Sequence, residues 1–209
     1  MSEVTQRKGL FITFEGGEGA GKTTQVGLLQ QRLQRIGRAL VVTREPGGTA
    51  LGERLRDIIF RPGLEGETEL LLILAARAQL LAEVIRPALE RGEAIICDRY
   101  SDSTLAYQGY GRGLDLAATA AANDLATGGL RPDLSILLDL PVDAGLARKA
   151  GGYEWDTIGH ESREFHERVR HGFHELAAAE PQRWLIVDAT LPIEDVSEMI
   201  WERVHALTG

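Results

Sequence analysis

The chain has 209 residues, of which 44% are hydrophobic and 26% are charged, and its formal net charge is −8 at pH 7. These values predict one globular domain over residues 1–209 and argue against a nucleic-acid or anionic-membrane partner, which would favour a basic face. The polar tail 1–8 lacks the apolar core of a signal peptide, and the longest apolar run, Leu70–Ala76, is too short to span a bilayer. With a single cysteine, Cys97, the composition predicts a cytoplasmic protein.

Strand-like and helix-like segments alternate along the chain, which predicts an α/β fold with a parallel sheet covered by helices on both faces. The predicted strands are Leu10–Phe14, Ala39–Thr43, Ala94–Cys97, Leu134–Leu138 and Trp184–Val187. The predicted helices are Lys22–Ile36, Ala50–Phe60, Thr68–Leu89, Leu116–Thr127, Val142–Arg148, Glu161–Ala179 and Glu194–Leu207. Right-handed crossovers place the carboxyl ends of all strands on one edge, where ligands bind. Segment 150–162 is rich in glycine and has no apolar period at its centre, which is typical of a mobile lid.

Residues Gly16–Thr23 fit the phosphate-binding pattern Gly-x4-Gly-Lys-Thr between a predicted strand and a predicted helix. The backbone N–H groups of such a loop and the positive end of the helix dipole bind phosphate oxygens. We therefore predict that Lys22 reaches the β- and γ-phosphates of ATP and that the Thr23 hydroxyl holds Mg²⁺. The predicted ATP-binding residues are Gly16, Gly17, Glu18, Gly19, Ala20, Gly21, Lys22, Thr23 and Thr24.

Acidic residues end two of the predicted strands. Asp98 follows the third strand and Asp139 follows the fourth, and a carboxylate at either place suits Mg²⁺ beside a phosphate loop or simply caps a turn. Arg99 favours Asp98, because a guanidinium at the ligand edge suits a second phosphate. Arg77 lies in an apolar helix, where it either reaches solvent or faces a polar pocket.

Seven motifs follow one another along the chain: Phe14–Thr24, Thr43–Thr49, Ala75–Arg77, Asp98–Tyr100, Ser103–Gly109, Gly111–Gly113 and Arg131–Leu134. In these motifs and their order, the chain resembles the bacterial thymidylate kinases. The resemblance implies a P-loop NTPase fold, with a five-stranded parallel sheet in a three-layer α/β/α arrangement. It also implies phosphorylation of dTMP to dTDP by ATP with Mg²⁺, for dTTP biosynthesis, and a homodimer.

The resemblance assigns roles around the acceptor phosphate and sugar. It implies that Arg99 binds the dTMP phosphate with help from Arg56, and that Lys22 and Arg99 stabilise the charge of the transferred group. Glu18 is expected near the 3′-hydroxyl. Tyr107 is expected near the sugar 2′ position, where it would reject a ribose.

Around the base, the resemblance implies that Arg77 hydrogen-bonds the thymine edge. Thr104 and Gln108 are expected to contact the base, with Ser103 close by. The metal is expected on Thr23 and Asp98. The predicted dTMP-binding residues are Glu18, Pro46, Arg56, Ile73, Arg77, Arg99, Ser103, Thr104, Tyr107 and Gln108.

The sequence departs from the family pattern at two places. Ile73 stands where family members usually carry a phenylalanine that stacks on thymine, which predicts weaker dTMP binding. Segment 150–162 contains no arginine or lysine, although family members place a catalytic arginine either in the phosphate loop or in this lid. The remaining candidates border the lid at Arg148, Lys149 and Arg163, and our hypothesis is that Arg148 closes over the ATP phosphates.

Other functions fit part of the pattern. The alternatives are a kinase for another nucleoside monophosphate or a deoxynucleoside, and an ATP-binding regulator without kinase activity. A GTPase switch would need an Asn-Lys-x-Asp guanine reader, but the only asparagine, Asn123, is followed by Asp124.

Overall fold

Five parallel strands form one sheet within residues 9–150 and 161–208, the residues that this computed structural model describes. The strands are β1 (Leu10–Glu15), β2 (Leu40–Arg44), β3 (Ala94–Asp98), β4 (Leu134–Asp139) and β5 (Trp184–Asp188). Their order across the sheet is β2-β3-β1-β4-β5. The predicted strands and the α/β prediction are confirmed. The predicted tail 1–8 and positions 151–160 of the predicted lid lie outside the described residues.

The helices follow the predicted alternation with the strands. They are α1 (Lys22–Arg35), α2 (Ala50–Ile59), α3 (Gly66–Leu80), α4 (Arg86–Glu90), α5 (Ser101–Thr104), α6 (Leu116–Thr127), α7 (Val142–Ala150), α8 (Arg163–Ala179) and α9 (Ile193–Thr208). The predicted helix Thr68–Leu89 is divided, because a π-helical turn at Leu81–Ile85 joins α3 to α4. Pro87 follows this turn and lacks the N–H group that a regular α-helix would need there.

A helical stretch that the sequence pattern did not predict runs through α5 and continues as a π-helix over Leu105–Gly111. Its two glycines weaken the helical signal, and packing explains why they are there. A Cβ atom at Gly109 would lie 2.5 Å from Leu116, and one at Gly111 would lie 2.7 Å from Phe165. Glycine therefore lets this π-helix approach α6 and α8 closely. Such π-turns are frequent at functional sites, and this one carries two of the predicted dTMP-binding residues.

Alternate side chains of β1 fill the two halves of the core. Ile12 packs on one face of the sheet against Leu29 of α1 and Ile200 of α9. Phe11 packs on the other face against Ile95 and the side chains of α3 and α4. Because both faces of β1 are covered, the strand is fixed, and so is the start of the loop that follows it. No helix in the described part of the chain is long and apolar enough to cross a membrane.

The strand register brings three chain segments together at the carboxyl edge of the sheet. Phe14 of β1 is paired with Asp98 of β3, and Arg44 of β2 is paired with the same residue. The phosphate loop, the turn after β2 and the turn after β3 therefore begin beside one another. This is the edge at which parallel α/β sheets bind their ligands.

Candidate active site

The phosphate loop joins β1 to α1 in a conformation that depends on glycine. Gly16, Gly19 and Gly21 have φ angles of 138°, 68° and 89°, in the region that side chains disfavour. A Cβ atom at Gly19 would overlap the carbonyl oxygen of Gly145 in α7. Gly21 precedes the first residue of α1, so the loop ends at the N-terminus of that helix. Unpaired N–H groups there suit an anionic ligand.

Lys22 lies across its own loop. Its Nζ donates to the carbonyl oxygens of Gly16 and Gly17, at 3.1 and 2.9 Å, and the residue is buried. Burial, together with the nearby charge of Arg99, lowers the pKa of Lys22 to about 8. Phosphate oxygens are stronger acceptors than these carbonyl groups, so a triphosphate in the loop offers Lys22 a better partner.

Thr23 and Asp98, the predicted metal pair, lie close together. The Thr23 hydroxyl donates to Asp98 Oδ2 at 3.5 Å, while Asp98 Oδ1 is buried without a hydrogen-bond partner. Residues 9–150 and 161–208 contain no group of three or more acidic, His or Cys side chains that could hold a metal ion. Mg²⁺ needs no such cage, because it keeps several waters and takes phosphate oxygens as ligands. A hydroxyl beside a carboxylate with an unpaired oxygen therefore fits Mg²⁺.

The other strand-end carboxylate, Asp139, has protein partners of its own. Arg170 donates to both of its oxygens at 2.8 Å, and His174 Nε2 lies 3.1 Å from Oδ1. The side-chain hydrogen bond from Arg170 lowers the pKa of Asp139 despite its partial burial. Asp139 thus serves an ion pair with α8, whereas Asp98 keeps one buried oxygen without a hydrogen-bond partner.

Arg99 is the one non-glycine residue in the described ranges with a positive φ, 69°. A side chain in this region costs about 1–2 kcal/mol, which the surrounding structure must offset. The Arg99 N–H donates to Phe14 O at 2.9 Å, so the sheet fixes the turn. The guanidinium then donates to Gly16 O at 3.1 Å and lies 4.7 Å above the ring of Tyr107. The strained turn points this cation at the phosphate loop.

Glu18 connects the phosphate loop to the opposite wall of the site. Its Oε1 accepts from Arg99 Nη2 at 2.7 Å and from the Tyr107 hydroxyl at 3.1 Å, while Oε2 accepts from Lys149 Nζ at 2.6 Å. Burial opposes ionisation, but the charges of Arg99, Lys22 and Lys149 hold the pKa of Glu18 below its usual range. Glu18 is therefore an ionised counter-ion in the midst of three cations.

Arg77 faces the pocket and is 1% exposed, so it does not reach solvent. Its Nε donates to Glu45 at 2.7 Å, and its Nη1 donates to Thr104 at 2.9 Å and to Asn123. Burial raises the pKa of Glu45, and the charge of Arg77 opposes that rise. Sequence reasoning missed Glu45 because it lies in a Pro-Gly turn. The available signal was that a buried arginine requires a counter-ion.

Glu15, at the end of β1, is a second acidic residue that sequence reasoning did not single out. It is fully buried, and it accepts hydrogen bonds from the backbone N–H of Tyr100 at 3.0 Å and from the Ser103 hydroxyl at 2.5 Å. Burial and the nearby charge of Asp102 raise the pKa of Glu15 to about 8. Glu15 thereby ties the turn after β3 to the strand that precedes the phosphate loop.

A cavity of about 550 Å³ brings the predicted residues together. The predicted dTMP-binding residues that line it are Glu18, Pro46, Arg56, Ile73, Arg77, Arg99, Ser103, Thr104, Tyr107 and Gln108. Residues 18–24 of the phosphate loop and Asp98 line the same cavity. Gly16 and Gly17 do not line it, although their carbonyl oxygens accept from Lys22, which does. The lining residues that sequence reasoning did not assign to it are Arg44, Glu45, Ile59 and Phe60.

The three candidate cations at the lid borders differ in position. Arg148 lines the main cavity and a second cavity of about 330 Å³ beside α1, and it donates to Ala189 O at 3.0 Å. Lys149 also lines the main cavity, where its Nζ donates to Glu18 Oε2 at 2.6 Å. Arg163 lines neither cavity, since its half-exposed side chain is paired with Asp143 at 2.8 Å. The geometry therefore leaves Arg148 and Lys149 at the site and places Arg163 outside it.

Fold and site together define a P-loop protein in which the phosphate loop and Arg99 line one cavity. Comparison with known proteins is more specific. The family model described as thymidylate kinase matches residues 14–200. The thymidylate kinase of Deinococcus radiodurans is 53% identical over 199 residues, covering 94% of this chain and 97% of that protein. The thymidylate kinase of Thermomicrobium roseum is 55% identical over 196 residues, covering 93% of each.

A solved structure agrees with these sequence relatives. The crystal structure of thymidylate kinase from Ehrlichia chaffeensis superposes with a TM-score of 0.78 at 35% identity, and the match covers 94% of this chain and 99% of that one. The chain belongs to the thymidylate kinase family. The resemblance read from the seven motifs is thus confirmed, and so is the P-loop NTPase fold that it implied.

Proposed function

We infer that the chain transfers the γ-phosphoryl group of ATP to dTMP and so forms dTDP. The observation that carries this inference is that two cations, Lys22 and Arg99, line one cavity together with Asp98, and both donate to the carbonyl oxygen of Gly16. A protein that only binds ATP has no need of the second cation. The relatives named as thymidylate kinases support the same acceptor.

Phosphoryl transfer asks for position and charge more than for a base. Lys22 binds the oxygens of the transferred group, and Arg99 holds the acceptor phosphate in line with it. Both cations act in a partly closed cavity, where charge is screened less than in water. Thr23 and Asp98 would hold Mg²⁺, which would supply positive charge to offset the charge of the phosphate oxygens.

The acceptor base lies on the wall formed by α3 and the Leu105–Gly111 π-helix. Arg77 and Gln108 hydrogen-bond the edge of thymine, and Thr104 contacts it. Ile73 covers one face of the ring in place of an aromatic side chain, because Ile73 and Arg77 are one helical turn apart on α3.

The acceptor phosphate and sugar lie nearer the phosphate loop. Arg56, which donates to Pro46 O at 2.9 Å, assists Arg99 in binding the phosphate. Glu18 lies beside the sugar of dTMP, near the 3′-hydroxyl. Tyr107 occupies the space that the 2′-hydroxyl of a ribose would need. Arg148 closes over the ATP phosphates, a role that suits a cation lining both cavities.

We further propose a homodimer that works in the cytoplasm, where ATP and dTMP are present. Leu71 of α3 and Leu125 of α6 are 64% and 87% exposed, which suits a contact between copies. The mass in solution tests this part, and a monomer at micromolar concentration would refute it.

The test of function is the release of ADP from ATP with and without dTMP, followed by a screen of other acceptors. We expect ADP release to depend on dTMP and on added Mg²⁺. Preference for another nucleoside monophosphate would replace the proposed acceptor. ATP binding without acceptor-dependent ADP release would favour the regulator.

A further inference from the structure

Arg112 has no part in the proposed reaction, yet it bridges two carboxylates at the edge of the site. Its Nη2 and Nε donate to the two oxygens of Glu69 at 2.9 and 3.3 Å. Its Nη1 donates to Glu161 at 2.5 Å. The guanidinium also lies 5.1 Å above the ring of Phe165. A two-pronged contact of this kind fixes the plane of the Glu69 carboxylate as well as its position.

Glu69 belongs to the same face of α3 as the residues proposed to hold the base. It precedes Ile73 by one helical turn and Arg77 by two. Although it is charged, it is only 4% exposed, and Arg112 is its counter-ion. A carboxylate buried this deeply is costly unless it is fully paired, so its partners are strongly determined.

The remaining partner of Glu69 is Gln108. Gln108 Nε2 donates to Glu69 Oε1 at 2.7 Å, and Gln108 itself lines the cavity and is 2% exposed. An ionised carboxylate can only accept hydrogen bonds, so it holds the NH₂ end of the amide and repels the oxygen end. The amide of Gln108 is therefore held with Oε1 left as an acceptor for a ligand.

We propose that Glu69 and Arg112 are positioning residues that select the acceptor base by locking the amide of Gln108. This inference rests on the proposed function, in which Gln108 reads the base of dTMP. A fixed acceptor oxygen pairs with the ring N–H of thymine or uracil. Cytosine presents a lone pair at the same ring position, so two acceptors would face each other and dCMP is rejected.

The test is Glu69→Gln, assayed as kcat/KM for dTMP, dUMP and dCMP. The new amide can donate to Oε1 of Gln108 and so permits the turned orientation. We expect the ratio of dTMP to dCMP to fall about tenfold or more. The ratio of dTMP to dUMP should stay within about twofold, because both bases carry the ring N–H. A general loss of structure would lower all three values together and would leave the first ratio unchanged.

Variants of Arg112 supply a second test of the same proposal. Arg112→Met removes the counter-ion of Glu69 and should lower the same ratio, whereas Arg112→Lys should restore part of it. Glu161→Gln is the matched control, because it alters the other carboxylate on the same arginine. It should leave the dTMP to dCMP ratio unchanged.

The outcomes separate this inference from the proposed function. If the unaltered protein does not release ADP with dTMP, the proposed function fails. If it does, and Glu69→Gln keeps the original dTMP to dCMP ratio while melting like the unaltered protein, the positioning role is wrong. An equal fall in the ratio for Glu161→Gln would also overturn it.

Discussion

The two halves of the site are built in different ways. The donor half is one continuous stretch, residues 16–24, in which Lys22 donates to carbonyl groups of its own loop. The acceptor half collects side chains from β2, α2, α3, β3 and the Leu105–Gly111 π-helix. Phosphate is recognised by backbone geometry, which one short segment can provide, whereas a base and a sugar must be enclosed from several sides. A substitution in the donor half should therefore affect mainly the phosphate loop itself. A substitution in the acceptor half should also disturb the other elements that enclose the base and the sugar.

The largest expected effect in turnover is at Arg148 of α7, which borders the donor half in the main cavity. Arg148→Ala should lower kcat by about 10³-fold, because a cation is lost where charge develops on the transferred phosphoryl group. Dissociation constants from calorimetry should show dTMP affinity changed far less. Arg163→Ala is the control and should keep its turnover, because Arg163 begins α8, pairs with Asp143 and lines neither cavity. A near-normal rate for Arg148→Ala would leave Lys149 as the remaining cation at that wall.

In the acceptor half, Arg77→Met should destabilise the whole protein as well as weaken dTMP binding. It leaves Glu45 buried without its counter-ion, which costs about 3–5 kcal/mol of unfolding free energy. Urea unfolding measures this loss. The double variant Arg77→Met/Glu45→Gln should recover part of the stability but none of the affinity for dTMP. If stability and dTMP affinity were both restored in the double variant, the proposal that Arg77 binds dTMP as well as pairing with Glu45 would be wrong.

The donor half should also respond to pH through Lys22. Its pKa of about 8 means that the amine loses its charge as the pH rises through 8, and attraction for the triphosphate is lost with it. We expect kcat/KM for ATP to fall above pH 8 by up to about tenfold per pH unit. Lys22→Arg keeps its charge throughout this range, so its profile should be flat there. A decline of equal steepness in that variant would assign the titration to another group, such as Glu15.

The smallest expected effect is the gain of an aromatic face in the acceptor half. Ile73→Phe should tighten dTMP binding by about 0.5–1.5 kcal/mol, because the ring can stack on thymine. The KM for dTMP should fall by about two- to tenfold, while the KM for ATP stays constant. A higher KM for dTMP would show that the buried Ile73 position cannot accept the larger side chain.

The contrast between the halves also explains what the sequence could predict. The phosphate loop and the residues at strand ends were predictable, because each depends on neighbours along the chain. The pairing of Arg77 with Glu45 was not, because the two are brought together only by the turn after β2. The helical course of 101–111 was hidden by its glycines, whose purpose appears only once α6 and α8 are packed against them.

The contact between Gly19 and Gly145 has a consequence for how this enzyme can vary. A Cβ atom at either position would collide with the main chain of the other segment, at Gly145 O in one case and Glu18 O in the other. No larger residue at one place can be compensated by a smaller one opposite, because both sides are already the smallest. Gly19 and Gly145 are more than a hundred positions apart in the chain, yet neither can be replaced by a larger residue, even when both are changed together. A designer who grafts a new lid onto α7 must keep this contact intact, or the nucleotide loop will move with it.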